Sequence, residues 1–162
     1  MDLYLIRHAE AHPLDDKITD DAERPLTDAG RATARALATT LTRLGVKLDV
    51  VATSPLLRAR QTAEEILSQW PAPPELRVAA ELSPGGKRRK VALGLRKLGK
   101  GAVGLVGHQP DLGELAAWLI GSRKAQVDFD KAGVALIHCP DEPGKSAGSL
   151  VWLATPAWFV PG

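Results

Sequence analysis

The chain has 162 residues, 44% of them hydrophobic, and a formal net charge of +2. That is the size of one domain, residues 1–162, able to bury its own core, and the charge is too small to argue for a nucleic-acid partner. Cys139 is the single cysteine, which excludes an intrachain disulfide and a cysteine-rich metal site.

Residues 2–7 read as a buried strand, because Leu3-Tyr4-Leu5-Ile6 is an unbroken apolar run. Arg7-His8 follows at once, so no signal peptide is expected. No segment reaches the roughly 18–20 apolar residues that cross a bilayer. A soluble, cytoplasmic protein without a membrane partner is the default expectation. Asp15, Asp16, Asp20, Asp21 and Glu23 crowd the next loop, but their spacing matches no calcium loop and the required glycine is missing. They read as a solvated loop.

Thr27 is expected to cap a helix in which Leu37, Leu41 and Leu44 share one face, with Gly45 ending it. Residues 49–52 read as a second strand. Ser54-Pro55 then predicts a helix start, with serine capping free N–H groups and proline at the first position. Ala59, Ala63, Ile66 and Leu67 supply its apolar stripe, and Trp70-Pro71-Ala72-Pro73-Pro74 stops it. A short strand is expected near Leu76-Arg77-Val78 and a turn at Ser83-Pro84-Gly85-Gly86. Residues 87–98 predict a basic helix with Val91, Leu95 and Leu98 inward. Its run Lys87-Arg88-Arg89-Lys90 lacks interleaved aromatics and reads as a solvated face or, instead, as one that steers an acidic partner. Residues 102–106 form another apolar strand, Pro110 opens a helix to about Ile120, and two late strands fall near 134–137 and 150–153.

Alternating strands and helices predict an α/β fold: a three-layer sandwich with a mostly parallel central sheet and helices on both faces. Ligands bind such sheets at the carboxyl ends of the strands. Arg7-His8, Thr53-Ser54 and Gly107-His108 all stand at such ends. A neutral imidazole is a good nucleophile, and arginine presents a rigid fork of donors to phosphate oxygens. Arg58 falls in the first turn of its helix, where the dipole and free N–H groups already favour an anion. Arg60 points elsewhere and reads as solvated or ion-paired. His12 and His138 read as incidental. Two histidines, His8 and His108, and three arginines, Arg7, Arg24 and Arg58, around one tetrahedral anion point to phosphoryl transfer with a histidine nucleophile.

Four segments carry a resemblance: Leu5-Ile6-Arg7-His8-Ala9-Glu10; Arg24-Pro25-Leu26-Thr27-x-x-Gly30; Thr53-Ser54-Pro55-Leu56-x-Arg58-Ala59-x-Gln61-Thr62-Ala63; and Val106-Gly107-His108. In this order they resemble the histidine phosphatase superfamily, which includes phosphoglycerate mutases and many phosphatases. The short chain without a large cap insertion is similar to the SixA-type phosphohistidine phosphatase branch. So are Glu81-Leu82-Ser83-Pro84-Gly85-Gly86 and Trp152-Leu153-x-Thr155-Pro156.

The resemblance implies a phosphoglycerate mutase-like fold, with His8 as the phosphorylated nucleophile. It makes Arg7, Arg58 and His108 the phosphate pocket and Arg24 a further ligand, with no cofactor or metal. A phosphohistidine on a protein becomes the expected substrate. Ala9 departs from the family's usual glycine. No general acid is obvious either; Glu81 is the best-placed possible one between Arg58 and His108. Two alternatives stay open: a small-molecule phosphomonoesterase of the same superfamily, and a non-catalytic module that binds phosphoproteins.

Overall fold

The computed structural model describes residues 1–99 and 101–160. Strands β1 (Asp2–Arg7), β2 (Val50–Thr53), β3 (Glu75–Val78), β4 (Ala102–Gly107), β5 (Val134–His138) and β6 (Ser149–Ala154) form one sheet in the order β3-β2-β4-β1-β5-β6. The first four run parallel; β5 is antiparallel to β1 and β6 to β5. The connecting helices are α1 (Asp28–Arg43), α2 (Leu57–Leu67), α3 (Arg88–Leu98) and α4 (Asp111–Leu119). No helix among the described residues is long and apolar enough to cross a membrane.

Successive side chains of a strand point to opposite faces, and β1 uses both. Leu3 and Leu5 pack with Val91 and Leu95 of α3 and Leu112 and Leu115 of α4. Tyr4 and Ile6 pack with Leu37 and Leu41 of α1 and Ala59 and Ile66 of α2. The unbroken apolar run in β1 therefore follows from burial on both faces. Leu3, Leu5, Leu37 and Leu41 are fully buried, so truncating any one to alanine should cost about 2–5 kcal/mol.

Thr27 caps α1 as its sequence predicts: its Oγ1 accepts from the Gly30 N–H at 3.0 Å. Gly30 is required there, because a Cβ would lie 2.1 Å from the Glu10 carbonyl oxygen. The first turn of α1 thus presses directly on the loop that leaves His8. Leu44 departs from expectation. It stands at the C-cap, where the chain turns away, and is exposed rather than in line with Leu41.

The start of α2 is the larger correction. The helix begins at Leu57, with Leu56 at the cap position and no side-chain cap. A residue before proline is held extended, so Ser54-Pro55 serves the turn out of β2 rather than the first helical turn. Ser54 is released for another contact, at the edge of the sheet.

Candidate active site

Strands β2, β4 and β1 are neighbours, and their registers pair Arg7 with Gly107 and Thr53 with Val106. Adjacent strands lie about 4.8 Å apart, so the residues just beyond them converge. These are His8, Ser54 and His108. The His8 N–H donates to the Gly107 carbonyl at 3.0 Å and the Ser54 N–H to that of Val106 at 2.9 Å. The two imidazole rings stand 5.2 Å apart between centroids.

The His8 ring is oriented by its own chain. Nδ1 lies 2.7 Å from the Ala9 carbonyl oxygen. A carbonyl only accepts, so Nδ1 carries the proton and Nε2 keeps its lone pair. Ala9 is fixed in turn: its N–H donates to Thr62 Oγ1 at 2.9 Å, and that hydroxyl donates to the Arg58 carbonyl at 2.7 Å. The Ala9 methyl is fully buried among the side chains of the α1–α2 face. The departure from glycine is thus absorbed by packing. Gln61 ties the Arg24–Thr27 segment to the same helix by accepting from the Leu26 N–H at 2.8 Å.

Arg58 is the second residue of α2 and is 5% exposed. It donates to the Asp21 carbonyl at 2.6 Å and to the Asp21 carboxylate at 3.0 Å. Arg24 Nε donates to the same carboxylate at 2.8 Å, and its Nη1 to the His12 carbonyl at 3.0 Å. Arg7 donates to the Phe129 carbonyl at 2.6 Å. His108 Nε2 and Ser54 Oγ are 2.8 Å apart.

A cavity of about 350 Å³ joins Arg7, His8, Arg24, Arg58 and His108. It is also lined by Asp21, Gln109 and Lys131, which sequence reasoning did not single out. Asp21 corrects the reading of its loop as merely solvated. Asp15 and Asp20 do bond neighbouring backbone N–H groups, but Asp21 opens a three-residue helical turn and reaches both arginines. Such a turn has no periodicity to betray it.

The electrostatics are one-sided. Burial first, then the nearby His108, Arg58 and Arg7, push the His8 pKa down to about 3 against the pull of the Ala9 carbonyl. Burial, followed by Arg58, lowers His108 to about 4, although Asp111 and Asp21 oppose it. Burial alone would raise the Asp21 carboxyl, but the hydrogen bond and charge of Arg58, aided by Arg24, hold it below the usual carboxylate range. At neutral pH the cavity therefore holds two neutral imidazoles, one carboxylate, three guanidiniums and an ammonium. Arg7 Nε, Arg58 Nε and His108 Nδ1 are buried without a partner among the described residues. A polyanion accepting from them would offset that cost.

Glu81, expected as a possible general acid, does not line this cavity. Its Oε1 is only 2.8 Å from where a Cβ on Gly94 would stand, so the carboxylate leans on α3. The helical turn Ala80–Leu82 buries Leu82 and turns Glu81 aside. Arg60 also lies outside the cavity. His138 pairs with Asp2 at 2.7 Å, at the opposite end of β1.

The model of the histidine phosphatase superfamily (branch 1) matches residues 3–83. The phosphohistidine phosphatase SixA of Escherichia coli is 32% identical over 159 residues, covering 96% of this chain and 94% of that one. An uncharacterized protein of Picosynechococcus sp. is 35% identical over 167 residues, covering 99% and 100%. The solved structure of the protein histidine phosphatase SixA complexed with tungstate matches with a TM-score of 0.86 at 30% identity, over 97% of this chain and 98% of that chain. An α-ribazole phosphatase from Shigella flexneri shares the fold at a TM-score of 0.74 and 22% identity, over 96% and 97%.

Fold and comparisons together define a phosphohydrolase. The chain belongs to the histidine phosphatase superfamily, and within it to the SixA-type branch.

Proposed function

We propose that the chain removes the phosphoryl group from phosphohistidine on a protein, by way of a phosphohistidine formed on His8 and without a metal. One observation carries the substrate class. Among the described residues lining the cavity the only carboxyl group is Asp21, and Arg58 and Arg24 keep it ionised. It is a poor proton donor. An alkyl phosphate must expel an alkoxide and depends on such a donor. A phosphohistidine whose other ring nitrogen is protonated expels a neutral imidazole and does not. The name of the Escherichia coli relative agrees with this choice.

The steps follow from the donors in place. His8 Nε2 attacks phosphorus in line, a new N–P bond forms, and the substrate's P–N bond breaks with its electron pair going to the leaving imidazole. Arg7, Arg24 and Arg58 face the phosphoryl oxygens with fixed positive charge, the largest contribution available in phosphoryl transfer. A phosphoryl dianion would also draw a proton onto His108, raising its depressed pKa. Water then attacks phosphorus, the Nε2–P bond breaks, and phosphate leaves. The guanidiniums supply the charge neutralisation that a metal ion supplies elsewhere.

The test is a panel: a phosphohistidine peptide, an aryl phosphate, and sugar and nucleotide phosphates. The reading expects the highest kcat/KM on the phosphohistidine. A faster sugar phosphate or nucleotide would make the protein a small-molecule phosphomonoesterase. Tight binding of the phosphopeptide with no release of phosphate would make it a binding module, an outcome that the free Nε2 of His8 argues against.

A further inference from the structure

A second concavity, of about 1010 Å³, opens beside the catalytic cavity. One turn separates them: Pro84 lines the catalytic cavity, while Gly85 and Gly86 line the groove. Gly85 has φ +77°, a conformation that side-chain-bearing residues rarely adopt, and its N–H donates to the Asp111 carboxylate at 3.1 Å. The partition is therefore a pinned ridge.

The groove's charge is lopsided. Its lining has six basic residues, Lys87, Arg88, Arg89, Lys90, Arg123 and Lys145, against two acids, Asp111 and Glu114. Both acids are already engaged: Glu114 pairs with Arg88 at 2.8 Å and Asp111 holds the ridge. The other five cations are exposed and form no ion pair with the described residues. They come from three separate segments: the start of α3, the loop after α4, and the loop before β6. The whole chain carries only +2, so this is a local concentration rather than a general basicity. Half-buried Trp118 adds an aromatic surface to the wall.

We infer that this groove docks an acidic segment of the phosphoprotein substrate, on the flank of its phosphohistidine. The inference rests on the phosphohistidine reading above. A carboxylate-rich segment matches the charge, and a short segment can enter the groove while the phosphorylated ring crosses the Pro84–Gly86 ridge. Exposed lysines and arginines suit such a task. They raise the encounter rate and favour the right partner, and salt screens them.

The experiment uses two short phosphohistidine peptides, one flanked by glutamates and one by serines, together with phosphoramidate. The variant combines Lys87→Glu, Lys90→Glu, Arg123→Glu and Lys145→Glu, all on the surface, with its folding checked by thermal melting. The wild type should prefer the acidic peptide by about tenfold or more in kcat/KM at low salt, and high salt should erase the preference. The variant should lose it while hydrolysing phosphoramidate at the wild-type rate. Equal preference in both proteins, or none in either, overturns the groove. Binding of the unphosphorylated acidic peptide, followed by fluorescence anisotropy, keeps the two readings apart. If no phosphoramidate or phosphohistidine is cleaved, the proposed function fails, yet loss of anisotropy binding in the variant would still support the groove. If the groove instead prefers a single-stranded oligonucleotide or an anionic lipid vesicle over the acidic peptide, the assignment of its occupant is wrong.

Discussion

The catalytic cavity and the basic groove are both rich in cations, yet they are built in opposite ways. In the cavity each arginine is held. Arg58 is buried and gripped by both the carbonyl and the carboxylate of Asp21, Arg24 shares that carboxylate, and Arg7 is tied to the Phe129 carbonyl. In the groove the cations stand in solvent on flexible stems, most of them in no ion pair with the described residues. Held charge in a partly desolvated site stabilises a transition state, because no reorganisation is needed when charge develops. Solvated charge cannot do that, but it attracts and orients a partner at long range. On the proposed reading, the same residue types serve chemistry on one side of the Pro84–Gly86 ridge and encounter on the other.

The contrast is open to attack by substitution. His8→Asn should lower turnover by more than about a thousandfold, since a covalent pathway without its nucleophile has little left. Circular dichroism should show an intact fold, because His8 stands just past a strand end. Tungstate is expected to inhibit, since three guanidiniums line the cavity; Arg58→Ala should weaken that inhibition and lower kcat by about 10²–10³-fold, the usual cost of a held transition-state donor. Arg60→Ala, roughly 200° around the same helix, should stay within about threefold of wild type. Equal losses at Arg58 and Arg60 would mean that held position is not what matters. Chelating agents should leave the rate unchanged.

Acid sensitivity separates the regions further. His8 and His108 have folded-state pKa values near 3 and 4, below the unfolded value of about 6.5. Below that value the unfolded chain binds more protons, so stability should fall as pH drops from about 6.5 toward 4. His8→Asn should flatten part of that fall in thermal melts. Titration by NMR should find both rings neutral at about pH 5, with tungstate raising His108. The smallest effect belongs to Glu81→Gln, which should leave phosphohistidine and aryl phosphate turnover within about twofold of wild type. A selective loss on the aryl phosphate would restore Glu81 as an acid.

Much of this was legible in the chain. β1 and β4 announced themselves as apolar runs because both faces of the sheet are covered. Parallel strands end together, so the sequence order alone brings Arg7, His8 and His108 to one edge of the sheet, and Arg58 reaches the same cavity from the helix after β2. What escaped notice was held by contacts between segments far apart in sequence. Asp21 acts on a helix 37 positions away, from a turn too short to show a pattern. Ser54 looked like a helix cap and is a partner of His108. Glu81 had sequence order in its favour, but order along the chain does not orient a side chain.

The central claim is that His8 Nε2 takes the phosphoryl group. Rapid mixing of the enzyme with phosphohistidine peptide labelled on phosphorus, followed by a denaturing quench and peptide mapping, tests it directly. The account predicts an acid-labile, base-stable label on the peptide containing His8, formed as fast as turnover and absent in His8→Asn. Full turnover with no label on His8, or the same label with His8 replaced, would contradict it.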